Sequence, residues 1–130
     1  MRRLIALFFG LLALAACTQT PEKLPADNNR TYVVFFTTAS AELDKAAQTV
    51  ISQATKYATS FPEKKIYIEG YAQVKGDLSL DELVAIRRAQ AVSAQFVVNG
   101  IDKSRILATP RAPEIRKSPV AARRVEIEIK

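Results

Sequence analysis

Apolar residues recur every three or four positions in two separate stretches of this chain, which is the spacing of an amphipathic helix. The first stretch covers about residues 41–60 and follows Ser40, a predicted N-cap. The second covers about residues 80–98. It opens with the capping-box sequence of residues 79–82 and ends before Gly100, since glycine readily adopts the left-handed conformation that closes a helix. The pattern therefore predicts two helices.

Four shorter runs around these helices have the character of strands. Residues 32–36 are a continuous run of aromatic and β-branched side chains, which is typical of a central strand buried on both faces. Residues 66–70 alternate in polarity, residues 105–109 form a short third run, and residues 125–129 alternate as a half-buried strand does. The order β-α-β-α-β-β predicts an α+β fold, a two-layer sandwich with both helices packed on one face of a mixed sheet.

The beginning of the chain has the features of a secretory signal peptide. Two arginines precede an uncharged apolar stretch, residues 4–16, which is too short to span a bilayer comfortably and ends at Cys17, the only cysteine. Small residues before that cysteine resemble the lipobox of bacterial lipoproteins, in which the thiol is acylated and the chain is cut immediately before it. The expected organisation is a lipoprotein signal peptide at 1–16, a lipidated Cys17 with a flexible linker at 17–30, and one domain at 31–130. The resemblance also implies, from Thr18, an anchor in the outer membrane with the domain in the periplasm.

Composition excludes several kinds of active site. The chain has no histidine and a single cysteine, so it cannot build a Ser-His pair, a disulfide framework or a cysteine–histidine metal cluster. Paired acids such as Asp81 with Glu82 are explained as helix-start residues that complement the helix dipole. We therefore predict that the protein is not an enzyme and has neither a metal site nor a cofactor.

Positive charge is concentrated between residues 105 and 124, where Glu114 is the only acid. Such a strip can bind nucleic acid, anionic lipid or a carboxylate-rich polymer, or it can be a solvated loop. Because the signal peptide predicts export, nucleic acid is not expected as a partner.

Residues 69–92 read EGYAQVKGDLSLDELVAIRRAQAV. Their Glu-Gly pair, Gly76, arginine pair and final Ala-x-Ala-Val resemble the OmpA-like domain of OmpA C-terminal regions and peptidoglycan-associated lipoproteins. Matching motifs continue in the same order at residues 41–43, 99–106 and 123–127. The resemblance covers about residues 31–130 and implies the same sandwich fold.

In that family a cleft binds the diaminopimelate of peptidoglycan stem peptides, with an aspartate on the ligand's ammonium and an arginine on its carboxylate. The resemblance places that arginine at Arg88 and makes Arg124 a weaker second candidate. A guanidinium suits this task because it donates two parallel hydrogen bonds to one carboxylate. Alternatively, Arg88 only covers the helix surface with its aliphatic stem.

The residues expected to meet the ligand's ammonium depart from the family pattern. Gln73 replaces the aspartate, Tyr71 the histidine and Asp81 an asparagine. Gln73 can accept a hydrogen bond but cannot neutralise a cation, so affinity is expected to fall. We hypothesise that Asp81 supplies the missing carboxylate and binds diaminopimelate together with Arg88. Asp81 can also be an ordinary acid in the first turn of a helix.

Two functions are consistent with this pattern. One is an outer-membrane lipoprotein whose periplasmic domain binds peptidoglycan noncovalently and tethers the membrane to the cell wall. The other is a degenerate module that keeps the fold but does not bind peptidoglycan, and serves as an accessory subunit of an envelope-spanning complex such as a secretion or conjugation system. Charge in the cleft separates them: Gln73 favours the second, whereas Arg88 and Arg124 favour the first.

Overall fold

The computed structural model describes residues 26–72, 78–110 and 120–130. Four strands and two helices follow one another in the predicted order, and the α+β class is confirmed. Their bounds are β1 at Arg30–Phe35, α1 at Lys45–Ser60, β2 at Ile66–Gly70, α2 at Leu78–Val98, β3 at Ile106–Pro110 and β4 at Arg124–Ile129, with a 3₁₀ turn at Lys103–Arg105 before β3.

The four strands form one mixed sheet in the order β1-β4-β2-β3. β4 is antiparallel to both of its neighbours, whereas β2 and β3 are parallel and are joined through α2, as a parallel pair requires. One face of the sheet packs on the helices, and its residues are fully buried. This core includes Val34, Ile66, Ile68, Val125, Ile127 and Ile129 from the sheet, Ile51, Ala54 and Ala58 from α1, and Ala89, Val92 and Phe96 from α2.

The prediction that the first strand is central and buried on both faces is wrong. β1 lies at an edge of the sheet, and Phe35 is 50% exposed on the face away from the helices. The central strand is instead β4, where Val125, Ile127 and Ile129 are buried and the glutamates between them are partly exposed, as the alternation predicted. A continuous apolar run therefore did not indicate two-sided burial here.

The first helix begins later than predicted, and Ser40 is not its N-cap. Asp44 caps α1: its Oδ1 accepts a hydrogen bond from the backbone N–H of Ala47 at 2.7 Å. Ser40 lies in the preceding loop, where its Oγ accepts from the N–H of Glu42. The second helix begins at Leu78, so its boundary does not lie at the predicted capping box of residues 79–82.

Two glycines occupy positions that a side chain would disturb. Gly100, with a φ of 98°, closes α2 as predicted, and the N–H of Ile101 donates back to the carbonyl of Phe96 at 3.0 Å. Gly70 ends β2 directly beneath α2, where an added Cβ would lie 2.2 Å from the carbonyl oxygen of Ala85. The absence of a side chain at Gly70 therefore sets how closely α2 approaches the sheet.

Within the three described ranges, neither helix has both the length and the apolar character needed to cross a bilayer.

Candidate functional site

Arg88 lies on the buried face of α2 and is only 1% exposed. Its guanidinium donates three hydrogen bonds to backbone carbonyls: Nε to Ser40 at 2.8 Å, Nη1 to Tyr71 at 3.0 Å and Nη2 to Thr37 at 3.0 Å. It also lies 5.2 Å from the centroid of the Phe36 ring. The side chain thus joins α2 to the loop after β1 and to the end of β2, and it does not merely cover the helix surface.

The charge of Arg88 has no carboxylate partner within ion-pair distance in the part of the chain that the structure describes. Burial and the nearby positive charge of Arg123 lower its pKa from the usual 12.5 to about 10, so the side chain is still a cation at neutral pH. Carbonyl oxygens compensate a buried cation only partially, because they carry no net charge. This arrangement favours the approach of an anion.

Arg123 is a residue of this region that sequence reasoning did not single out as a site residue. Its Nε donates to the carbonyl of Phe36 at 3.1 Å, and its own carbonyl accepts from the N–H of Phe36 at 2.9 Å. Arg123 is half-buried, one residue before β4 begins. The sequence signals at Arg123 were its place in the basic strip and in the matching motif of residues 123–127, and neither distinguishes it from Arg124.

Arg124 belongs to a separate cluster. Its Nε forms an ion pair with Glu126 at 2.8 Å, its Nη1 donates to the carbonyl of Ala121, and its guanidinium carbon lies 3.8 Å from the centroid of the Tyr71 ring. The Tyr71 hydroxyl donates towards Glu69 at 3.1 Å and Glu126 at 3.3 Å. Arg124 is therefore neutralised by a neighbour on its own strand.

Burial is the main cause that raises the pKa of Tyr71 above its usual 10, and its hydrogen bond to Glu69 adds to the effect. The phenol therefore stays protonated at neutral pH. The backbone of Tyr71 contacts both arginines: its carbonyl accepts from Arg88, and its N–H donates to the carbonyl of Arg124 at 2.9 Å. Tyr71 is the structural link between the two clusters.

The remaining predicted site residues fall in different places. Asp81 is buried in the first turn of α2, seven residues before Arg88. Seven residues are nearly two helical turns, so the two residues share one face of α2 and lie about 10 Å apart along its axis. Gln73 and Cys17 lie outside the described residues.

Metal binding has no support among the described residues, because they contain no cluster of three or more Asp, Glu, His or Cys side chains placed to hold an ion. What the geometry offers instead is a buried guanidinium with hydrogen-bond donors, which is suited to binding an anion without chemical conversion.

Comparisons with known proteins agree on one fold. A model of the OmpA family matches residues 35–124. The chain is similar to the crystal structure of the peptidoglycan-associated lipoprotein from Burkholderia pseudomallei, with a TM-score of 0.69, 20% identity, and coverage of 76% of this chain and 90% of that one. No curated protein sequence gives a significant match.

Two further solved structures have the same fold. The OmpA-like domain of FopA1 from Francisella tularensis subsp. tularensis SCHU S4 matches with a TM-score of 0.70 and 19% identity, covering 78% of this chain and 75% of that one. The periplasmic domain of Helicobacter pylori MotB (residues 78-256) matches with a TM-score of 0.63 and 15% identity, covering 82% and 78%. At these identities the likeness concerns the fold alone.

Proposed function

The chain belongs to the OmpA family, and on that basis we propose that its domain binds peptidoglycan noncovalently, through the diaminopimelate of the stem peptide. The observation that carries the proposal is the buried guanidinium of Arg88, which has no carboxylate partner among the described residues. A ligand carboxylate would supply the missing counter-charge. The proposal is for a binding domain and includes no catalytic step.

In this proposal Arg88 binds the ligand's carboxylate and Asp81 binds its ammonium group. Three of the five N–H donors of Arg88 are directed to backbone carbonyls, which fixes the plane of the guanidinium. A cation held in one orientation loses little conformational entropy when the ligand binds. Gln73 is proposed to contribute only a neutral hydrogen bond, and Arg124 is proposed to act at the margin, because Glu126 already neutralises it.

We further propose that the domain is tied to the outer membrane. The support is the sequence at the start of the chain, where an apolar stretch ends at Cys17. Acylation of that thiol would bury several hydrocarbon chains, and each buried methylene contributes about 0.8 kcal/mol. The protein would then connect the outer membrane to the cell wall from the periplasmic side.

The test is retention on purified sacculi, measured by pelleting. We expect Arg88→Ala to weaken retention about tenfold or more, because a charge-assisted hydrogen bond is worth about 1.5 to 3 kcal/mol. Asp81→Asn should also weaken it, and free diaminopimelate should compete with the sacculi. Lys56→Ala, which removes an exposed charge from α1, is the matched control and should bind as the wild type does.

Arg88→Ala also removes two hydrogen bonds to the loop after β1 and one to Tyr71 at the end of β2, so its thermal melting must be recorded beside its binding. Arg88→Lys is a milder change, because it keeps the positive charge that Arg88→Ala removes. Retention that is unchanged in both Asp81→Asn and the folded Arg88 variants would overturn the proposed site.

The alternative function is an accessory subunit of an envelope complex, with a cleft that no longer binds peptidoglycan. One observation favours it: Arg88 is 1% exposed and already holds three carbonyls, so its role would be purely structural. Wild-type protein that fails to pellet with sacculi, but crosslinks in cells to envelope proteins, would support this alternative.

A further inference from the structure

The turn that follows β1 is in direct contact with the guanidinium of Arg88. Residues 37–40 form this turn, which is closed by a hydrogen bond from the N–H of Ser40 to the carbonyl of Thr37 at 3.2 Å. The carbonyls of the same two residues accept hydrogen bonds from Arg88. Thr37 and Ala39 are exposed, whereas Arg88 is buried. A surface segment thus occupies hydrogen-bond donors of a buried cation.

The donors that the 37–40 turn occupies are those that a carboxylate would use. In a planar guanidinium, Nε–H and one N–H of Nη2 lie side by side on one edge, and this edge binds a carboxylate through two parallel hydrogen bonds. Ser40 and Thr37 place one carbonyl oxygen on each of these donors, at 2.8 and 3.0 Å. The third nitrogen, Nη1, donates instead to Tyr71. The turn therefore holds the place that the two oxygens of a ligand carboxylate require.

The 37–40 turn adopts a backbone conformation that its sequence does not favour. Ala39 has a φ of 54° and is the one non-glycine residue in the described ranges with a positive φ. It is the third residue of the turn, where glycine or asparagine normally supplies a positive φ, because a Cβ crowds the following carbonyl oxygen. The turn is thus strained, and the hydrogen bonds from Arg88 help to hold it in place.

We propose that the 37–40 turn is self-inhibitory: in the free protein its two carbonyls occupy the carboxylate-binding edge of Arg88, and the ligand binds by displacing them. This inference rests on the proposed function and adds a regulation of the same site. An ionised carboxylate forms hydrogen bonds about twice as strong as those of a neutral carbonyl, so it can displace the turn. Displacement also releases the strain at Ala39. The movement explains how a guanidinium that is buried in the free protein can bind a ligand.

Binding then depends on the equilibrium between a closed and an open turn. Only molecules with an open turn bind the ligand, so the apparent dissociation constant is the intrinsic constant divided by the open fraction. A substitution that stabilises the closed turn should therefore stabilise the fold and weaken binding. If the turn were instead a permanent wall of the site, the same substitution would leave binding unchanged or strengthen it. Opposite changes in stability and affinity therefore distinguish the two cases.

Substitutions at Ala39 test this relation. Ala39→Gly removes the Cβ that opposes the positive φ, so the melting temperature should rise by about 4 °C. Its dissociation constant for meso-diaminopimelate, measured by isothermal titration calorimetry, should rise about fivefold. Ala39→Val should do the opposite, because a β-branched residue is poorly tolerated at positive φ. This variant should melt at a lower temperature than the wild type and bind the ligand about fivefold more tightly.

Gly100→Ala is the matched control. It also changes the side chain at a position of positive φ, but it lies beyond the C-terminal end of α2, away from the 37–40 turn. It should lower the melting temperature and leave the dissociation constant unchanged. If Gly100→Ala binds more tightly by the same factor as Ala39→Val, the effect on binding is not specific to the turn and the inference is disproved.

The outcomes separate this inference from the proposed function. If Ala39→Gly is more stable but binds as tightly as the wild type, or more tightly, the turn is a permanent part of the site and the inference fails. If Ala39→Gly is no more stable than the wild type, the turn carries no strain and the inference also fails. Wild-type protein that binds neither meso-diaminopimelate nor sacculi would instead disprove the proposed function. Should Ala39→Val not fold, Ala39→Gly and the control decide.

Discussion

In the part of the domain that the structure describes, three arginines donate their side-chain hydrogen bonds to backbone carbonyls alone. Arg88 and Arg123 do so at the end of β1, and Arg105 does so at the end of α1, where its Nε and Nη2 donate to the carbonyls of Lys64, Ala58 and Phe61. The carbonyl of Ala58 also accepts from the backbone N–H of Phe61 at 3.3 Å, so Arg105 adds a second donor to the backbone cap that ends α1. Part of the basic strip is therefore built into the fold and is not a solvated loop.

Of the two glycines described, Gly70 is the one that has no room for a side chain. In Gly70→Ala the new Cβ would lie 2.2 Å from a backbone oxygen of α2, so the helix must move away from the sheet. We expect the free energy of unfolding to fall by about 3 kcal/mol, as for severe overpacking, in urea denaturation.

Gly100→Ala is the matched control for that change. Nothing lies within 4 Å of an added Cβ there, and only the φ of 98° opposes it. Its expected cost is about 1 kcal/mol. If Gly70→Ala lowers the free energy of unfolding no more than this control does, α2 shifts freely over the sheet.

Sequence reasoning proposed Arg88 as a site residue but did not describe the surroundings in which the structure places it. Arg88 was found because it lies in a recognisable motif, but its burial and its three carbonyl partners carry no sequence signal, since every residue has a carbonyl. Arg123 and Arg124 are neighbours with identical side chains. The pleat at the start of β4 directs their side chains to opposite sides of the sheet. As a result Arg123 lies near Arg88, whereas Arg124 pairs with Glu126.

At the scale of elements, the boundaries are fixed by local polar groups. α1 was predicted from about residue 41, yet it begins at Lys45 because Asp44, and not Ser40, caps it. Both residue types are good caps, and the apolar pattern alone does not choose between them. Alternation indicated β2 and β4, and a continuous apolar run indicated β1, but the position of β1 at the sheet edge depends on pairing with β4, which is distant in sequence.

The cap gives a direct test at this scale. Asp44→Ala should lower the free energy of unfolding by about 1 kcal/mol, because the N–H of Ala47 loses its acceptor. Helix content from circular dichroism and urea denaturation measure the effect. Ser40→Ala removes only the exposed hydrogen bond from Glu42 and should cost less than half as much. The opposite order would mean that Ser40 is the functional cap.

The molecule as a whole lacks any side chain that ordinarily titrates near neutral pH, since the chain has no histidine. Arg88 keeps its charge up to a pKa of about 10, and the pKa of Tyr71 is raised. The charges of these two groups therefore stay constant between about pH 6 and pH 9.

Tyr71→His should introduce the missing pH dependence. Glu69 and Glu126 favour the cationic form of an imidazole placed between them, whereas burial and the Arg124 guanidinium, 3.8 Å from the ring centroid, disfavour it. We expect the two carboxylates to outweigh these effects, because Arg124 is itself paired with Glu126, so the folded pKa should lie above the unfolded value of about 6.5. The stabilisation would be fully present below that unfolded value and would be lost as the pH rises through the folded pKa. Melting temperatures measured from about pH 5 to pH 9 should thus fall with rising pH relative to the wild type. A difference between the two proteins that stays constant over this range would mean that the imidazole does not meet the carboxylates.

The central place of β4 has a kinetic consequence. Arg30 pairs with Ile129, so the strand that joins β1 to β2 is the one synthesised last among the four. While a ribosome has released only the segments up to β3, β1 has no neighbour in the sheet, and the two sheet fragments cannot associate. Contacts between such distant segments make loop closure the slow step, and domains dominated by them fold on a scale of milliseconds to seconds. The nascent chain therefore cannot complete its sheet until nearly the entire domain has been made.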